Sequence, residues 1–312
     1  MKLQKILSID YPIIQGGMAH IATGAFAAAV SEAGAFGMIG AGGYTTQQLR
    51  EEILIARSLT DKPFGVNLML LHPEIEEQAK LVEEMVVAMI TTGAGNPGRF
   101  VEAWKNKGIK VFPVVGDPAL GFRMARLGVD GLIAEGNEAG GHIGPMTTMT
   151  LVPQLIDRVD LPIIAAGGIA SGRQLLAAEA LGAIGVQMGT AFLGTQECPI
   201  HDNYKQRVLS ANSSNSKVIG RSIGLPLRVL NNPMVRSYLE METQGKSKEE
   251  LEHFTLGALR RAAREGDIKN GSLMAGLVVT QIKEILPVRE LLERLYQDYL
   301  REKARLCHEN SK

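Results

Sequence analysis

A chain of 312 residues with 33 basic and 33 acidic side chains is long enough for one large core or two modest ones, and its even charge argues against nucleic acid as a partner. Asp10 and Pro12 interrupt the N-terminal MKLQKILSIDYP and no apolar run reaches membrane-spanning length, so neither a signal peptide nor a transmembrane segment is expected. Cys198 and Cys307 stand far apart without metal-like spacing, which points to the reducing cytoplasm and to a fold that needs no disulfide.

Short β-branched runs alternate with helical patterns from the start to about residue 195. Candidate strands are PIIQGG (12–17), FGMIG (36–40), FGVNL (64–68), VVAMITT (86–92), KVFPVV (110–115), GLIAEG (131–136), PIIAAGG (162–168) and GVQMGT (185–190). Between them lie helical stretches with start signals at Thr45 or Thr46, Asn96-Pro97, Asp117-Pro118 and Ser171, and stop signals at Gly34, Gly108, Gly128 and Gly182. Eight β-α units predict an α/β chain folded as a (β/α)8 TIM barrel; a doubly wound open sheet is the competing arrangement. Residues 1–195 are assigned to the barrel, with 256–312 supplying helices that complete it. Residues 196–255, polar and irregular in pattern, are assigned to an inserted cap over the barrel mouth. From 201 to 236 this cap carries Lys205, Arg207, Lys217, Arg221, Arg228 and Arg236 against Asp202 alone, a bias that fits either an acidic partner or a solvated basic loop.

The ends of the strands carry the chemistry. PIIAAGG leaves Ala166, Gly167 and Gly168 after the seventh strand, and GVQMGT leaves Gln187, Met188, Gly189 and Thr190 at the eighth. In a barrel these two loops, with free backbone N–H groups and a helix N-terminus, form a phosphate site, and glycine lets the phosphate approach the backbone. The first strand ends in Gly17, Met18 and Ala19; the third presents Asn67, an amide that both donates and accepts, as the ring edge of a flavin requires. AEGNEAGGHIG places Glu135, Gly140, Gly141 and His142 at the same mouth. His142 alone among the six histidines has such open surroundings and is the candidate catalytic residue; His20, His72, His201, His253 and His308 read as surface or packing residues. GSLMAG (271–276) repeats the small-residue style of the mouth loops, so Met274 and Gly276 are expected to close over a cofactor, with an N-cap at Ser272 as the plainer reading. Neither a P-loop nor a metal-ligand cluster is present, so no metal site is expected.

Taken together, YPIIQGGMA, LTDKPFGVNLMLL, TTGAGNP, AEGNEAGGHIG, TTMTLVPQL, PIIAAGGIASG, VQMGTAFL and GSLMAG resemble the FMN-dependent enoyl-acyl-carrier-protein reductase II (FabK) class within the nitronate monooxygenase (2-nitropropane dioxygenase-like) family. The resemblance runs along nearly the whole chain and is loosest in the cap. It implies FMN with its phosphate on Gly167, Gly168, Gly189 and Thr190 and its ring near Met18, Asn67, Gln187 and Gly140-Gly141. It also implies NADH or NADPH as cosubstrate, a trans-2-enoyl group on acyl carrier protein as substrate, and a homodimer. His142 matches the family's active-site histidine, as hydrogen-bond donor or proton source. Two other readings share these residues: a nitronate monooxygenase, and a phosphate-ligand-binding barrel without turnover.

Overall fold

The computed structural model describes residues 2–309, and the side chains of residues 2–307. The barrel strands are β1 (Ile13–Gln15), β2 (Gly37–Gly40), β3 (Phe64–Met69), β4 (Met89–Gly93), β5 (Lys110–Val115) and β6 (Leu132–Glu135), followed, after a two-residue strand β7 (Gly141–His142) outside the barrel, by β8 (Ile163–Ala166) and β9 (Gly185–Met188). All eight run parallel in the order β1-β9-β8-β6-β5-β4-β3-β2. The two ends of that order meet: the Gln15 N–H donates to the Phe36 carbonyl at 2.9 Å, and the Phe36 N–H to the Ile13 carbonyl at 2.9 Å. This is the (β/α)8 TIM barrel, and closure excludes the doubly wound sheet, whose edge strands would stay unpaired.

Every candidate strand is present, with ends displaced by at most three residues. The largest displacement is at 86–88. Val86 ends the helix Ile75–Met85 in a left-handed conformation (φ 47°), and pairing begins only at Met89. Its β-branched side chain reads as strand, but its place at the end of a helix decides its backbone. The helix signals behave as expected at Thr45 (a capping box with Gln48), Asp117 and Ser171, whose side chains accept from N–H groups three residues on. Gly34, Gly108, Gly128 and Gly182 all take φ between 75° and 97° after helix ends.

Alternation along the strands sorts the side chains into two layers. Ile14, Phe36, Met38, Met89, Phe112, Ile133 and Ile164 fill the barrel interior, and the short helix Leu3–Leu7 plugs its N-terminal end with Leu3 and Leu7. The alternate residues, such as Val66, Ile90, Val111, Ala134 and Val186, pack outward against the helices. The long C-terminal helix Val288–Glu309 buries Val288, Leu292, Leu295 and Tyr299 on one stripe and lies along the helix Gly172–Ala180. The approach needs Gly172, where an added Cβ would lie 2.1 Å from the Tyr299 backbone nitrogen, and it is fastened by Tyr299 Oη and Lys303 Nζ donating to Glu179 at 2.8 and 2.9 Å.

The segment expected to be irregular is ordered. It contains the helix Asp202–Leu209, an antiparallel pair β10 (Ser216–Ile219) and β11 (Leu227–Leu230), and the helices Pro233–Thr243 and Lys248–Thr255. Its polar composition hid a separate small core of Ile219, Val229, Met234, Val235, Tyr238, Leu251 and Ala258. The stretch LEHFTLGALRRAAREGD is not one helix: it is broken at Gly257 (φ 71°), continues as Ala258–Arg260 and ends in a π-helical turn over Arg261–Glu265. Among the described residues no helix is long and apolar enough to cross a membrane.

Candidate active site

Because the interior is apolar and plugged at the N-terminal end, its polar residues fall at the other mouth. Two residues beyond each inward-facing position, alternation brings Asn67 (after Gly65), Thr91 (after Met89), Glu135 (after Ile133) and Gln187 (after Gly185) into the interior at the C-terminal ends of the strands. Asn67 Nδ2 donates to Thr91 Oγ1 at 2.8 Å. A Cβ added at Gly17 would lie 2.2 Å from that of Asn67, one at Gly16 would meet Gln187 Cγ at 3.3 Å, and one at Gly189 would meet Met18 Sδ at 3.4 Å. Gly17, Met18, Asn67, Gln187 and Gly189 therefore converge, with Ala19 next along the same loop. Ala166 forms the floor among the interior apolar residues. The Met188 side chain is buried in the outer core between barrel and helices, and its carbonyl is taken by the Gly16 N–H at 2.8 Å, so it offers the mouth no side chain.

After β8, Gly167 and Gly168 take φ of 88° and 74°. A Cβ at Gly167 would lie 2.8 Å from the Gly136 carbonyl oxygen, so both conformation and space demand glycine. Thr148 Oγ1 lies 3.0 Å from the Ala166 carbonyl and 2.9 Å from that of Gly167, engaging the acceptor side of this loop, whereas no acceptor among the described residues bonds the Gly168 N–H. After β9, Thr190 opens a 3-10 helix (Thr190–Gly194), and its hydroxyl accepts from the Gly276 N–H at 2.9 Å. The two loops thus present glycine backbone and a helix start side by side, an arrangement that suits an anion.

His142 does not hang from a bare loop. It forms β7, which pairs antiparallel with β11 so that Leu227 stands opposite His142 and Arg228 opposite Gly141. The Ile143 N–H continues the ladder to the Pro226 carbonyl at 3.0 Å. Gly141 takes φ 81°, and a Cβ there would lie 3.6 Å from Met274 Sδ; one at Gly140 would lie 2.7 Å from the Gly276 nitrogen. The 140–141 turn and the 274–276 segment are therefore in backbone contact, and the fully buried Tyr204 holds the latter by donating to the Met274 carbonyl at 2.8 Å. Ser272 caps no helix: its own N–H bonds the Ala258 carbonyl and its hydroxyl is buried without a partner.

Two titrations are displaced here by burial. The His142 ring is solvent-accessible but recessed, and the surrounding protein draws its pKa below the ordinary 6.5, leaving a neutral imidazole at pH 7. Glu135, partly accessible at the mouth but enclosed by protein with no cation beside it, is pushed up to about 7.

The remaining histidines pack or face solvent. His20 lies half-buried against Gly43 with a left-handed φ of 60°; His72 and His201 accept from N–H groups two residues on, and His253 is exposed. The His308 side chain lies outside the described residues. The basic bias of the cap is only partly a surface property. Lys217, Arg221 and Arg236 are exposed, but Arg207 donates to the Asn231 carbonyl, and Arg228 is buried, giving Nε and Nη2 to the Asn137 carbonyl at 3.1 and 2.8 Å and Nη1 to Ser216 Oγ at 3.0 Å. Arg228 ties the cap sheet to the loop carrying His142, and burial, then Arg221, pulls its pKa down. Sequence reasoning counted Arg228 only in the basic bias of the cap and gave Thr91 and Thr148 no role. No group of acidic, histidine or cysteine residues among the described ones is arranged to hold a metal ion.

The nitronate monooxygenase family profile matches this chain over residues 1–87 and 78–298. The chain belongs to the nitronate monooxygenase family. Among solved structures, FabK from Thermotoga maritima superposes with a TM-score of 0.95 at 42% identity, covering 98% of each chain. A probable nitronate monooxygenase from Staphylococcus aureus (strain JH9) is 33% identical over 314 positions, 85% of this chain and 88% of that one. The (3aS,4S,5R,7aS)-5-hydroxy-7a-methyl-1-oxo-octahydro-1H-indene-4-carboxyl-CoA dehydrogenase of Rhodococcus jostii (strain RHA1) is 34% identical over 235 residues, 75% of this chain and 67% of that one. Membership in this family makes the protein an oxidoreductase.

Proposed function

We propose that the protein is an FMN-dependent enoyl-acyl-carrier-protein reductase that uses NADH or NADPH to reduce the 2,3 double bond of a trans-2-enoyl thioester in type II fatty acid synthesis. The observation that carries this reading is the 42% identity to FabK along 98% of the chain, with His142 fixed by the cap sheet at the mouth where Asn67, Gln187 and Gly189 converge. The residues fit FMN: the glycine cradle with the unbonded Gly168 N–H and the start of the helix at Thr190 suit its phosphate. Gly17, Met18, Asn67, Gln187 and the Gly140-Gly141 turn would hold its ring. When bound, FMN supplies two-electron hydride acceptance and donation. As hydride adds to the substrate's β-carbon, negative charge gathers on the thioester oxygen, and the α-carbon then takes a proton. A neutral His142 can donate a hydrogen bond to that oxygen, and such a donor is typically worth about 10²- to 10³-fold in rate. Its pairing to Leu227 fixes the backbone that carries it, so little reorganisation is needed when the charge develops. Acyl carrier protein is the carrier in this proposal, and a cytoplasmic homodimer the form in which the enzyme acts.

The deciding experiment is anaerobic reduction of the yellow protein by NADH or NADPH, followed by reoxidation with crotonoyl thioester. Reoxidation by the thioester is expected; nicotinamide oxidation indifferent to it would overturn the assignment. The identity to nitronate monooxygenases supports a second reading, oxidation of alkyl nitronates with oxygen, and nitronate-dependent oxygen uptake without enoyl reduction would establish that instead.

A further inference from the structure

Beside His142 a cavity of about 140 Å³ opens beneath the cap, lined chiefly by Ile219, Ile223, Leu225, Leu227 and Tyr238. Its floor is rigid. Ile219 and Tyr238 are 1% and 4% exposed and belong to the small apolar core of the cap, and the turn above them is closed by the Leu225 N–H on the Gly220 carbonyl at 2.9 Å. That turn needs glycine at 220, where φ is 78° and an added Cβ would lie 2.3 Å from the Leu225 carbonyl oxygen. Leu225, 39% exposed, stands at the rim. Leu227 connects the hollow to the chemistry, because it faces the cavity from the strand position directly opposite His142. A hollow among leucines and isoleucines forfeits packing contacts that a purely structural cap would recover by filling it.

We propose that this cavity receives the hydrocarbon tail of the acyl group whose thioester His142 engages, and that its size sets the range of chain lengths bound. The proposal rests on the enoyl-thioester reading above. An apolar cavity of about 150 Å³ admits benzene, so this one takes a tail of roughly six carbons. The polar side chains in the lining are His142, which the thioester engages, the buried Tyr238, and Thr255 and Glu252, the last exposed at the outer side near Lys248, so a pantetheine arm laid here would set its amides mainly against leucine and isoleucine.

The test is calorimetric binding of saturated acyl-pantetheine thioesters, which cannot be reduced, to the flavin-loaded protein. Affinity is expected to rise about fourfold per added methylene (about 0.8 kcal/mol each) over a span of about six carbons and then level off. Thr255→Phe, which projects a ring into the cavity, is expected to bring the plateau forward by several carbons; Ile223→Ala, which enlarges it, is expected to push the plateau outward and decides the matter should Thr255→Phe fail to fold. Affinity indifferent to chain length, or a plateau that neither variant moves, would overturn the proposal. Crotonoyl reduction without chain-length dependence would remove the cavity assignment alone, and chain-length dependence without enoyl reduction would remove the activity alone.

Discussion

Replacing Glu135 by glutamine should stabilise the flavin-free protein, and should do so only as the pH rises. Burial raises this carboxyl from 4.5 to about 7, with no neighbouring cation to offset it. Between those values the unfolded chain has lost its proton while the native chain keeps it, so the native state binds more protons and wild-type stability falls with increasing pH. Above about 7 both states are ionised and the loss is complete. At about 1.4 kcal/mol per pH unit traversed, it amounts to roughly 3 kcal/mol at pH 8 and less than about 1 kcal/mol at pH 5. Glutamine keeps the size and a hydrogen-bonding end but cannot ionise. Urea unfolding of wild type and Glu135→Gln at the two pH values isolates the effect, because every other titrating group is common to both proteins. A stability difference that is the same at pH 5 and pH 8 would show that Glu135 titrates as an ordinary surface carboxylate and that its enclosure carries no energetic consequence.

Four further outcomes follow from the same geometry. His142→Ala should leave the flavin spectrum intact while lowering enoyl reduction by about 10²-fold or more. Because burial lowers its pKa, the His142 ring should take up its second proton only below pH 6.5, and an NMR titration midpoint for that ring above 6.5 would contradict a neutral imidazole. Gly17→Ala should cost about 1–3 kcal/mol and weaken flavin retention, since its Cβ would fall 2.2 Å from that of Asn67; unchanged thermal stability and flavin content would show that the loop yields freely. Arg228→Leu removes the charged hydrogen bonds to the Asn137 carbonyl, worth about 1.5–3 kcal/mol each, and should speed amide exchange in both β7 and β11; exchange altered in neither strand would refute its role as the tie between cap and site.

How much was legible in the sequence differs between barrel and cap. Each barrel strand but β3 is a short apolar run closed by glycine, and both its existence and its place in the order survive in the structure because local pattern and global burial agree. Val86 was misread for want of such agreement: a β-branched residue serves a helix end when the chain must turn there. In the cap, polar surface residues outnumber the few that form its core, so LPLRVL and the helices after it carried too weak a periodicity to be read as structure. Met188 follows from alternation alone, since a neighbour of the inward Gln187 must face outward.

The sequence by itself determined the eight repeated units, the glycines that leave room at the mouth, and which histidine stands among them. These properties are local, fixed by residue type and by period along the chain. Tertiary structure alone decided that His142 is a strand residue held opposite Leu227, that Arg228 is buried rather than displayed, and that Glu135 keeps its proton to about pH 7. Each depends on what a distant segment brings near, and pairing and desolvation are set by that neighbourhood rather than by the residues on either side.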